Sequence, residues 1–102
     1  MRVLSDNQVR RVAGRARALA DSTRVRIVQA LGNNELSVGR IAEILDSDPS
    51  SISKHLQVLF REGLVSRTRS GAAVLYAMAD PDLLEWCRYL SRRQIIGRSR
   101  RA

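Results

Sequence analysis

Only three residues, Asp46, Ser47 and Asp48, separate two stretches of helical periodicity. Upstream, Val38, Ile41, Ala42 and Leu45 repeat at spacings of three and four behind Ser37, a residue suited to an N-cap. Downstream, Asp48 at the N-cap accepts from backbone amides that have no partner inside a helix, and Pro49 at the first helical position loses no hydrogen bond. Ile52, Leu56, Leu59 and Phe60 then follow at helical spacing until Gly63 supplies a stop. A connection this short is the one a helix-turn-helix requires, so the centre of the chain reads as that motif.

The flanks complete an architecture. Val9, Val12, Ala13, Ala16, Leu19 and Ala20 predict an amphipathic helix over 5–20, and Asp21 caps a second helix carrying Val25, Ile27, Val28 and Leu31 that ends at Gly32. Beyond Gly63 the period changes from helix to strand. Leu64 to Arg69 and Ala73 to Met78 flank Ser70-Gly71-Ala72, the pattern of a β-hairpin. Asp80-Pro81 opens a last helix with Leu83, Trp86, Cys87 and Leu90 on one face. The expected fold is therefore mainly α with a β-hairpin wing: four helices, two strands and a final helix, a winged helix-turn-helix. Residues 1–96 read as one domain and 97–102 (Gly-Arg-Ser-Arg-Arg-Ala) as a basic tail, in line with a length of 102 residues.

Charge narrows the partner. The chain has 18 Lys+Arg against 10 Asp+Glu, a formal net charge of +8, and Lys54 is its only lysine. Arginine presents a planar fork of donors that suits phosphates and base edges, so the excess points to a polyanion; an arginine-rich coding bias would give the same composition. Aromatic residues make up only 4% of the chain, which argues against stacked single-stranded bases and favours duplex DNA. No apolar run approaches the ~20 residues of a membrane span and no signal-peptide core is present, so a soluble, cytoplasmic protein is expected. A single cysteine, Cys87, excludes an internal disulfide framework and a multi-cysteine zinc site, and no cofactor or metal is expected.

With Ile52, Leu56 and Leu59 turned inward, helix 48–62 presents Ser50, Ser51, Ser53, Lys54, Gln57 and Arg61 outward. Short hydroxyl side chains at the helix start let its N-terminus approach DNA, where free amides and the dipole favour phosphate. Lys54 suits a phosphate or guanine, and the Gln57 amide has the fork that reads adenine. Within the wing, 64–79, Arg67 and Arg69 flank the hairpin tip and suit the minor groove or the phosphate backbone. The bland alternatives are a solvated polar helix face and a charged, protected strand edge.

His55 is the only histidine and sits beside Leu56, a setting that fits a structural hydrogen bond better than a metal ligand. Pairing it with Cys87 as a thiol nucleophile would require the fold to join distant parts of the chain, so no catalytic site is expected.

The run from Leu19 to Leu31, with its Asp21-Ser22-Thr23-Arg24 core, resembles the second-helix signature of the ArsR/SmtB family of bacterial repressors. Ser51-Ile52-Ser53-Lys54-His55-Leu56 followed by Glu62-Gly63-Leu64-Val65 resembles that family's recognition helix and wing entry. The resemblance covers roughly residues 10–94. It implies a homodimeric DNA-binding repressor on an inverted-repeat operator, with one recognition helix per subunit in the major groove. It also implies a dimer interface on the first and last helices, here Val9, Val12, Ala16, Leu83, Trp86, Cys87 and Leu90.

Metal-sensing relatives carry a Cys-x-Cys pair where this chain has Ser37 and Gly39, and a second site along the last helix where Asp80 and Asp82 face Arg92, Arg93 and Gln94 instead of histidine or carboxylate. Neither site is complete, because such sites need thiolate and imidazole ligands. Cys87 is the remaining redox candidate, either as a thiol sensor across the two-fold axis or as a small buried hydrophobe. An architectural DNA binder and a module that docks an acidic protein are the alternatives from other classes. The effector, small molecule or redox, is unassigned.

Overall fold

The computed structural model describes residues 3–92, so the basic tail expected at 97–102 lies outside the described residues. In chain order the elements are α1 (Asp6–Leu19), α2 (Ser22–Leu31), β1 (Leu36–Ser37), α3 (Val38–Leu45), α4 (Pro49–Arg61), β2 (Val65–Ser70), β3 (Ala73–Met78) and α5 (Leu83–Arg92). Side chains satisfy the orphan amides at the first four helix starts. Ser5 and Gln8 form a reciprocal capping box on α1, while Asp21, Ser37 and Asp48 accept from the amides of Arg24, Arg40 and Ser51, each at 3.1 Å.

The three-residue turn between α3 and α4 works because both its ends are closed. Asp46 takes a left-handed conformation (φ 52°), which lets the Ser47 amide reach back to the Ala42 carbonyl at 2.9 Å and the Asp46 amide to that of Glu43 at 3.2 Å. That is a Schellman stop, and two residues later Asp48 already caps α4. The exit from α4 repeats the device with Gly63 (φ 75°): the Leu64 amide bonds the Leu59 carbonyl and the Gly63 amide that of Phe60, both at 3.0 Å. The wing therefore leaves α4 in a fixed direction.

β2 and β3 pair antiparallel from Val65↔Met78 to Ser70↔Ala73, so Ser70 belongs to the ladder and the loop is Gly71-Ala72 alone. Gly71 has φ 61° and Ala72 lacks positive φ, the signature of a type II′ turn. A short strand absent from the sequence reading, β1, pairs with β3 through Leu36↔Tyr76 and Ser37↔Leu75, giving a sheet ordered β1-β3-β2. The last helix begins later than expected: Asp80-Pro81-Asp82 forms a turn in which Asp80 Oδ1 accepts from the Asp82 amide at 2.9 Å, and helix starts at Leu83.

Ile27, Val28 and Leu31 of α2, Ile41 of α3, and Ile52, Leu56 and Leu59 of α4 are fully buried and form the centre of the core, with Leu64, Val65 and Tyr76 closing it from the wing side. The terminal helices contribute little to it. From α1 only Gly14 and Ala18 are buried, and from α5 only Leu83. Among the described residues no helix is long and apolar enough to cross a membrane.

Candidate nucleic-acid interface

Ser50, Lys54, Gln57 and Arg61 recur at intervals of four, three and four, so they form one exposed stripe along α4 opposite Ile52, Leu56 and Leu59. At 1.5 Å per residue, Ser50 and Arg61 mark ends about 16 Å apart. Ser51 is exposed and Ser53 half-buried on the flanks. Ser53 lines a cleft of about 580 Å³ whose other walls are Val38 and the wing residues Arg67, Thr68, Arg69, Val74 and Tyr76. The fold thus brings three residues singled out from the sequence, Ser53, Arg67 and Arg69, around one concavity.

The helix start differs from expectation. The Ser51 amide is not free for phosphate: it donates to Asp48 Oδ2 at 3.1 Å, and the Ser50 hydroxyl also donates to that oxygen. These donors, Ser50 first and the Ser51 amide second, hold the Asp48 carboxyl below its ordinary value. A carboxylate at this point repels a phosphate, and it leaves the Ser50 hydroxyl already engaged.

On β2, Arg67 and Arg69 project from the same face, opposite Tyr76 and Val74. They are not equivalent. The Arg67 guanidinium stacks over the Phe60 ring of α4, 4.0 Å from its centroid, whereas Arg69 stands nearer the turn.

His55 points away from the exposed stripe and is tied to Arg24 of α2, whose guanidinium nitrogen Nη1 lies 3.2 Å from Nδ1. Reading residues along the chain found Arg24 only as part of the α2 signature and gave no role to Arg15, whose Nε donates to the Glu62 carbonyl at 3.3 Å. These contacts span 31 and 47 positions, and no local periodicity carries them.

A second concavity, about 530 Å³, lies between α1 and α5 and includes Val12, Leu19, Leu83, Trp86 and Tyr89 in its lining. Val9 (51%), Val12 (50%), Trp86 (44%) and Leu90 (55%) are exposed large hydrophobics on these helices, and Ala16 is exposed too. Leu83 differs: at 6% exposure it belongs to the chain's own core and has little area left to give a partner. Cys87 is half-buried, and burial pushes its thiol above the ordinary value. The Ser37 hydroxyl caps α3, and among the described residues no three His, Cys, Asp or Glu side chains gather as a metal site would need.

Residues 21–67, spanning α2 through the start of the wing, match the family model described as bacterial regulatory protein, arsR family. The HTH-type transcriptional regulator KmtR of Mycobacterium tuberculosis is 37% identical over 75 residues, which is 74% of this chain and 58% of that relative. The chain spans less than two thirds of the length of the curated relatives it matches. The solution structure of a homodimeric winged helix-turn-helix DNA-binding domain from Mycobacterium bovis, a possible ArsR-family regulator, superposes with a TM-score of 0.76 at 29% identity, covering 89% of this chain and 87% of that one. An ArsR-like transcriptional regulator from Rhodococcus sp. RHA1 superposes with a TM-score of 0.70 at 30% identity, covering 91% and 85%. With the signature residues of α2 and α4, the β-hairpin wing and these matches in agreement, the chain belongs to the ArsR/SmtB family of winged helix-turn-helix bacterial regulators.

Proposed function

We propose that the protein is a cytoplasmic homodimeric transcriptional repressor that binds an inverted-repeat DNA operator. The observation that carries this reading is the meeting of α4 with the wing: Ser53, on the flank of the exposed stripe, borders a single cleft with Arg67 and Arg69. An exposed helix with one lysine, one amide fork and small hydroxyls has the shape and donor set of a major-groove reader. Lys54 and Gln57 supply base-edge or phosphate contacts, Ser51 and Ser53 permit close approach, and Arg61, Arg67 and Arg69 hold the backbone.

Dimerisation through Val9, Val12, Ala16, Trp86, Cys87 and Leu90 sets the separation of two such helices, about one turn of DNA or ~34 Å. Any effector acts by binding dimer geometries unequally, favouring one in which that spacing is wrong. The side chains serve recognition and not catalysis: the one imidazole is spent on Arg24.

The test is binding to the duplex upstream of its own coding sequence and to a scrambled duplex of equal composition, across a salt series. Preference for the upstream duplex that persists at ~150–200 mM salt is expected, because non-specific phosphate contacts weaken steeply there. Equal, salt-fragile binding to both duplexes would favour an architectural DNA binder instead, and no binding even at low salt a protein-docking module.

A further inference from the structure

Arg24 does more than its place in a helix signature requires. Its Nε donates to the Ala18 carbonyl at 2.5 Å and its Nη2 to the Arg17 carbonyl at 3.3 Å, both in the last turn of α1. Nη1 lies 3.2 Å from His55 Nδ1 on α4. A guanidinium only donates, so in this hydrogen bond Nδ1 is the acceptor, with Asp21 Oδ1 farther from the same nitrogen at 4.0 Å. One planar group thus joins three helices: it donates to carbonyls at the negative end of α1, it belongs to α2, and it holds the middle of α4.

The backbone amide of Arg24 is fixed as well, donating to Asp21 Oδ1 at 3.1 Å. A second tie joins the same two outer helices, Arg15 Nε on α1 to the Glu62 carbonyl at the end of α4. Between these helices Gly14 lies against the Glu62 side chain, whose carboxylate end would have to swing aside for a Cβ there. Two attachment points fix an orientation where one would fix only a distance.

We propose that the Arg24–His55 hydrogen bond is a positioning device that sets the tilt of the recognition helix α4 against α1, and through it the operator specificity. The inference rests on the DNA-binding reading above, in which α1 is a dimerisation helix. His55 neighbours Ser53 and Lys54 on the chain yet is itself turned inward, so it acts on DNA only through the direction it gives those neighbours. Lysine cannot replace Arg24, because a point charge with one nitrogen cannot serve three acceptors held apart in one plane.

The experiment compares Arg24→Lys, His55→Phe, His55→Asn and the Arg24→Lys/His55→Phe double substitution. Two readouts are taken: the ratio of affinities for the upstream and scrambled duplexes, and the angle between α1 and α4 from residual dipolar couplings. His55→Phe keeps the bulk and loses the acceptor, while asparagine returns an acceptor close to the Nδ1 position. Arg24→Lys and His55→Phe are each expected to lower the specificity ratio about tenfold, with no further loss in the double variant, as coupled partners behave. His55→Asn is expected to keep most of the ratio and the wild-type angle, and affinity for the scrambled duplex is expected to stay unchanged in every variant.

If Arg24→Lys fails to fold, the two His55 variants decide the matter on their own. A reoriented α4 in His55→Phe, in a chain whose wild type shows no duplex preference, would sink the repressor reading and leave the positioning role standing. An unchanged helix angle and ratio in a folded His55→Phe variant would overturn the proposal. So would an equal loss for both duplexes, which is the mark of simple destabilisation.

Discussion

The guanidinium carbon of Arg67 sits 4.0 Å from the centroid of the Phe60 ring, joining the wing to the end of α4. Phe60 leaves part of its ring in solvent, so the stack is a surface one, in the range of about 0.5–1 kcal/mol. A double-mutant cycle with Phe60→Leu and Arg67→Met, read by denaturant unfolding, is expected to give a coupling of that size. Zero coupling would mean that the Gly63 turn and the β2–β3 ladder alone orient the wing.

Asp46 occupies the left-handed conformation that ends α3, and it is the only non-glycine residue with positive φ among those described. Short polar side chains tolerate this region and glycine is at ease there, while β-branched residues are strained. Asp46→Gly is therefore expected to leave stability level or raise it by up to ~1 kcal/mol, and Asp46→Val to lower it by about 1–2 kcal/mol. Thermal melts of the two variants check the order. Asp46→Val equal to wild type would show that the turn relaxes to another conformation.

The helix caps show what can be read along a chain and what cannot. Asp21, Ser37 and Asp48 were legible because a cap and the amide it serves lie within three residues. The hairpin was legible for a similar reason, since Gly71 sits between two strand-like runs. β1 was not: Leu36 and Ser37 carry no strand period of their own and count as a strand because β3, some 40 positions on, offers its edge. The α4 stripe followed from periodicity, as did the Asp48 cap, but that the Ser50 hydroxyl also turns back onto the capping carboxylate was not written in the spacing. Leu83 looked like an interface residue because it shares a helical face with Trp86 and Leu90; only the packing shows that the first turn of α5 faces the core.

The caps also predict a pH response. Asp21 is held below its ordinary value chiefly by the Arg24 amide, and Asp48 by the Ser50 hydroxyl and the Ser51 amide. A folded state that keeps a carboxyl more acidic than the unfolded chain does is stabilised above the unfolded value, and loses that stabilisation as pH falls through the folded one. The melting temperature is therefore expected to carry no contribution of this kind to its slope near neutrality and to decline from about pH 4 downward. Asp48→Asn keeps a capping acceptor but cannot titrate, so its acid decline should be shallower than wild type. Superimposable profiles would remove Asp48 as a cause.

Cys87 is a free, half-buried thiol, and its reactivity separates the redox reading from that of a small hydrophobe. Burial raises its thiol, so at neutral pH the reactive thiolate is scarcer than for a free cysteine. Alkylation of the native protein by iodoacetamide is expected to run slower than that of the unfolded chain at the same pH. Faster alkylation in the native state would point to an activated thiol and revive the redox-sensing alternative.

The exposed faces of α1 and α5 distinguish association from folding. Val12 and Leu90 are about half exposed while Leu83 is buried, although all three lie on the two helices that the dimer reading joins. A charge at an exposed position costs the lone chain little but is strongly unfavourable once a partner has excluded water from it. Val12→Glu and Leu90→Glu are expected to leave a folded monomer in sedimentation analysis, with its helical circular dichroism retained and its preference for the upstream duplex lost, since two half-sites are then no longer bound together. Leu83→Ala is expected to do the reverse, lowering stability by about 2–5 kcal/mol as a core truncation does, with dimerisation retained in the fraction that stays folded. If Val12→Glu and Leu90→Glu sediment as wild type, the partner surface lies elsewhere, and the ~34 Å spacing of recognition helices must be set by another pair of faces.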